Sequence, residues 1–96
     1  MDTQQRAKGL VDGLISELRA VGHLIGPSDT ESWVQGDYIH VTAQLYGHLD
    51  LIRSARVITW ATEQGARSMS VDVWECGTSE DLVTGPEVHV TWPVGP

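Results

Sequence analysis

Apolar residues recur every three or four positions through the first quarter of the chain. Ala7, Leu10, Val11, Leu14, Leu18, Val21 and Ile25 form one stripe at helical spacing, which predicts an amphipathic helix over residues 2–24. Asp2 or Thr3 can cap its start, because their side-chain oxygens accept from backbone N–H groups that have no partner inside the helix. Gly26-Pro27 is placed to stop it. A second stripe, roughly opposite, carries Gly9, Gly13, Ser16 and Ala20. Glycine inside a helix costs ~1 kcal/mol relative to alanine, so two on one stripe point to a backbone approaching there, as in a helix pair or a dimer.

The period then changes to two. Ile39, Val41, Ala43 and Leu45 alternate with Tyr38, His40, Thr42 and Gln44, which predicts a half-buried strand. Trp33-Val34, ahead of Gln35-Gly36-Asp37, reads as a short hairpin partner. Residues 48–64 predict a second helix with Leu51, Ala55, Ile58 and Thr62 on one side and Gly65 at its end. Leu49, Ile52, Val57 and Trp60 fall off that stripe, so this helix either has apolar neighbours on two sides or carries an interface. Two further strands follow. Met69, Val71 and Val73 alternate with Ser70, Asp72 and Trp74, then Val88, Val90 and Trp92 with Glu87, His89 and Thr91. Residues 77–85 form a turn-rich connection, and residues 93–96 an extended tail.

The order α-β-α-β-β implies an α+β two-layer sandwich, with two helices on one face of a three- to four-stranded mixed sheet. The first strand, second helix and second strand make a right-handed crossover, and the last two strands pair as a hairpin. With 96 residues, the chain 1–96 fits one domain.

Charge narrows the partners. Thirteen acidic residues against six basic ones give a net charge of −7. The basic residues do not cluster, which disfavours direct nucleic-acid binding and anionic membranes. An acidic field steers basic partners in. No apolar run approaches the ~20 residues of a membrane span, and the first residues lack the layout of a signal peptide. The lone Cys76 cannot form an internal disulfide, which fits a reducing, cytoplasmic setting. One thiol also falls short of the usual structural zinc sets, and no cofactor is expected.

The polar side of the strands gathers the candidate chemistry. His40, His89, Asp72 and Glu87 are metal ligands or acid–base groups if they share one surface, because imidazole titrates near neutral pH and carboxylates complete metal sites. Cys76 with His89 is a further thiol pairing. Trp74 is the expected contact residue on that side, with Tyr38 beside it, since large amphipathic rings dominate binding surfaces. On the second helix, Arg53, Arg56 and Trp60 form another expected contact patch, with Arg56 four residues from Trp60 and able to stack on it. The leading expectation is a non-enzymatic module of the inhibitor, immunity or anti-defence type that binds a basic protein, in some cases as a homodimer. The alternatives are a metal-binding or acid–base enzyme on the open sheet face, and an assembly subunit of a larger complex.

Overall fold

Residues 2–95 are described by a computed structural model. The elements are α1 (Thr3–Ala20), a single 3-10 turn (Pro27–Asp29), β1 (Thr30–Gln35), β2 (Tyr38–Gln44), α2 (Leu51–Glu63), β3 (Ser68–Cys76) and β4 (Val83–Pro93). The expected layers are present: two helices pack against a four-stranded sheet. Among the described residues no helix is long and apolar enough to cross a membrane.

Asp2 caps α1, its Oδ1 accepting from Gln5 N–H at 2.7 Å. The helix stops four residues before the predicted end. Gly22 takes φ 100°, a conformation that favours glycine. The Gly22 and His23 N–H groups then turn back onto the Arg19 and Leu18 carbonyls, each at 3.0 Å, the pairing that closes a Schellman end. Ile25 still reaches the core, while Leu24 is exposed.

The sheet order is β1-β2-β4-β3, and every neighbouring pair is antiparallel. β2 and β3, the strands joined by α2, therefore run parallel with β4 between them. The predicted crossover exists, but the last strand occupies the gap it leaves. β1 is longer than the two residues read from sequence. Gly36, at φ 60°, makes the two-residue turn into β2, as primed hairpin turns require. β4 begins at Val83, which shortens the connection after β3 to residues 77–82.

The core lies between the layers. Ile39, Val41, Ala43 and Leu45 from the β2 segment meet Val88, Val90 and Trp92 of β4, and all are fully buried. Leu10, Leu14, Ile15 and Leu18 of α1 close over them. Each such aliphatic side chain contributes about 1.5–3 kcal/mol through burial.

α2 departs from its predicted orientation. Asp50 caps it through Arg53 N–H at 2.8 Å, but the buried residues are Val57 and Ala61, with Leu49 and Trp60 packed beside them. The predicted inner stripe points outward, with Leu51 88% and Ile58 46% exposed. The helix carries two apolar stripes, and the one bearing Trp60 wins because its indole fits edge-on against Trp92, at 5.8 Å and 75°.

That indole also explains one helix glycine. An added Cβ at Gly13 would sit 2.5 Å from Trp60 Cζ2, whereas nothing lies within 4 Å at Gly9. The approach inferred from the glycine stripe is thus a rigid ring from α2, and only at Gly13. Gly9→Ala should raise stability by about 0.5–1 kcal/mol through backbone entropy. Gly13→Ala should lower it, since overpacking costs about 1–3 kcal/mol. Urea unfolding of both variants checks the opposite signs.

The C-terminal segment is tied rather than free. Val94 N–H donates to the Asp37 carbonyl at 2.7 Å, and the Arg6 guanidinium donates to the carbonyls of Pro93 and Val94. The end of the predicted tail, Pro96, lies outside the described residues.

Candidate functional site

Alternation places Glu31 and Trp33 of β1, Tyr38 and His40 of β2, Glu87 and His89 of β4, and Ser70 and Asp72 of β3 on the sheet face away from the helices. Trp33 sits directly across from His40, and His89 lies on the diagonal from His40. The three rings form one cluster. Trp33 stacks on His40 with centroids 5.1 Å apart and planes 3° apart. It lies 5.6 Å from His89 at 40°. His40 Nδ1 and His89 Nε2 are 2.9 Å apart. One ring donates its N–H to the lone pair of the other, so the bond requires at least one neutral imidazole.

Strand order thus brings together two of the four proposed acid–base residues. The other two, Asp72 and Glu87, face each other directly across β3 and β4. Like charges directly opposite destabilise a sheet, and among the described residues neither carboxylate has an ion-pair partner. The two pairs do not merge into one set of ligands: among the described residues no group of three His, Cys, Asp or Glu is placed to hold a metal. Cys76 is exposed and lies opposite Val83, whereas His89 is opposite Ser70. The proposed thiol–imidazole pairing is therefore not formed.

The two tryptophans expected as contacts are largely covered, Trp74 buried and Trp60 partly buried. Trp74 is on the open face, but only 8% of it is exposed. Its indole crosses Gly85, and Nε1–H donates to the Leu45 carbonyl at 2.8 Å. That bond fills a gap in the ladder. Leu45 N–H donates to the Pro86 carbonyl at 2.9 Å, but Pro86 has no N–H to return. Trp74 supplies the missing donor, and Tyr46 closes against it edge-on at 5.2 Å. Trp60 is half-buried against Trp92. Arg56 does not stack on it but donates to Glu17 at 3.1 Å, and Arg53 pairs with Asp50 at 3.5 Å. Both ion pairs are exposed and contribute little. Of the five proposed contact residues, Tyr38 alone remains on the open face with accessible surface.

Trp33 is an accessible aromatic on the open face that the sequence pattern did not single out. It is 40% exposed. Its signal was Gly36 two residues beyond Val34, which extends the hairpin and puts Trp33 on the same side as His40. A second overlooked histidine, His23, is buried near the start of α2 with Nε2 unpaired. Burial, and then the Arg53 charge, hold its pKa below the ordinary histidine value, with Asp50 opposing.

Charge sorts by layer. All six lysines and arginines lie in α1, in α2 or at Arg67 just ahead of β3. The four strands carry none, so the open face presents Glu31, Asp72 and Glu87 without a compensating cation of their own. Comparison of the chain with protein families, with curated proteins and with solved structures gave no match.

Proposed function

We propose that the open face of the sheet is a binding surface for a basic protein, and that the chain acts by occupying that partner, as an inhibitor or immunity-type protein does. The observation that carries this reading is the Asp72–Glu87 pair, two opposed carboxylates on a face whose strands hold no lysine or arginine. A basic side chain arriving between them meets both carboxylates at once, with no cation on the strands to compete. Trp33, held by His40 and flanked by Tyr38, offers the rigid amphipathic anchor such an interface uses. The exposed lone thiol of Cys76 fits a reducing compartment such as the cytoplasm.

The test is affinity capture from a cell extract by the wild type, by Trp33→Ala and by Asp72→Asn, followed by titration of the recovered protein. Trp33→Ala should weaken binding by ~2 kcal/mol or more, about thirtyfold. Asp72→Asn should also weaken binding, yet raise the stability of the free protein by about 0.2–1 kcal/mol through loss of the like-charge pair. Equal retention by all three proteins would overturn the assignment of the face. The hydrogen-bonded His40–His89 pair favours a second reading, acid–base chemistry on the same face. In that case His89→Gln abolishes a turnover while leaving protein capture intact.

A further inference from the structure

β3 is an edge strand, and the ladder determines which of its backbone groups are free. The Leu45 N–H to Pro86 carbonyl bond continues the β2–β4 register, so Pro86, Val88, Val90 and Trp92 aim their backbone polar groups at β2. In an antiparallel ladder these directions alternate. Glu87, His89 and Thr91 therefore aim at β3, and are met by Asp72, Ser70 and Ser68. What remains at the outer edge are the N–H and C=O groups of Met69, Val71, Val73 and Glu75. Their side chains share the helix side of the sheet, and none is a lysine or a proline; Glu75, the last of the four, is the one charged side chain among them.

The helix side is also uncovered there. Val71 is 49% and Val73 70% exposed. Ile58 of α2 shares a depression with Met69, and Leu49, just ahead of α2, shares another with Val71 and Val73, so α2 runs beside the same border from its start to Ile58. An open ladder and an apolar helix stripe thus end at one line.

We propose that this line is a two-fold contact with a second copy of the chain, β3 pairing antiparallel with β3 and Val71 lying opposite Val71 of the second copy. A two-fold contact uses the same patch twice, and the free groups limit the registers open to it. Odd-numbered residues must face odd-numbered ones to bond. Centring on Asp72 would set two carboxylates against each other at the closest type of strand pair. Centring on Val71 sets valine on valine, Met69 on Val73, and Ser70 on Asp72, with no like charges opposed. The α2 stripes then meet across the axis and cover Leu51 and Ile58. The other edge, β1, is less suited: its free groups belong to Thr30, Ser32 and Val34, and it has six residues against the nine of β3. The contact joins two sheets into one and leaves both acidic open faces accessible.

The experiment is native mass spectrometry and light scattering over a dilution series, with amide exchange on the same samples. The expected result is a dimer at high concentration, with the Met69, Val71 and Val73 amides protected there and exchanging freely on dilution. Val71→Pro should abolish the dimer, because the lost N–H points outward and the β4 ladder keeps its bonds. Leu51→Glu, at an exposed first helical position where a carboxylate suits the helix, should also abolish it without unfolding the monomer. Because both copies carry −7, added salt should strengthen the dimer, whereas it weakens capture of a basic protein. A monomer at every concentration, or a dimer that survives both substitutions with those three amides unprotected, would overturn the proposal.

Discussion

Trp74→Ala should lower the stability of the fold by about 3–5 kcal/mol, the range for removing a buried tryptophan. Two losses combine. The indole leaves a void over Gly85, and the buried Leu45 carbonyl loses its only donor, since Pro86 sits where a ladder N–H would be. For a domain of this size each kcal/mol moves the melting temperature by about 4–8 °C, so a drop of roughly 15–30 °C is expected by differential scanning calorimetry. Trp74→Phe separates the terms. It keeps most of the apolar contact and loses the hydrogen bond, at a cost of about 1–3 kcal/mol. Adding Pro86→Ala to that variant restores an N–H to the ladder and should recover part of the loss. If Trp74→Ala melts within a few degrees of the wild type, the indole is not a structural part of the sheet.

The seat of Trp74 marks the boundary of what the sequence makes legible. α1 and β2 were legible because each has a single apolar stripe and one way to bury it. α2 has two stripes, and its period says nothing about which one finds a partner; the choice was made by Trp92 and by the space at Gly13, distant in sequence. Alternation places Trp74 on the correct side of its strand, but the side alone does not say whether the ring is exposed. Its burial depends on a missing donor at Pro86 and a missing side chain at Gly85, both on β4. The histidines were read as sharing a face, and only the insertion of β4 beside β2 made them neighbours. Trp33 was hidden because β1 has the polar composition of a loop, and its strand character comes from pairing with β2.

The ring cluster and the seat of Trp74 lie on the same face of the sheet. Trp33 is held by His40, His40 by His89, and His89 by a strand whose neighbour β3 is pinned through Trp74 to the end of β2. The ring cluster is set by the direct pairing of β1 and β4 with β2, and the seat of Trp74 fixes the far end of the same face, where it is bonded to the end of the β2 segment.

Gly85→Ala tests that seat directly. A Cβ at this position would collide with the Leu45 carbonyl oxygen and stand 2.9 Å from Trp74 Nε1. The first obstacle is backbone and the second a bonded ring, so neither can yield cheaply. Overpacking of this kind costs about 1–3 kcal/mol, and displacing the indole from its acceptor adds about 1–3 kcal/mol. The expected total is close to that of Trp74→Ala, from a change of one methyl group. Because both substitutions remove the same hydrogen bond, the double variant Gly85→Ala/Trp74→Ala should be less destabilised than the sum of the singles, by a coupling of about 0.5–3 kcal/mol. Guanidinium unfolding of the four proteins measures it. Strict additivity would mean that the glycine and the indole serve separate purposes, and the seat described for Trp74 would then have to be abandoned.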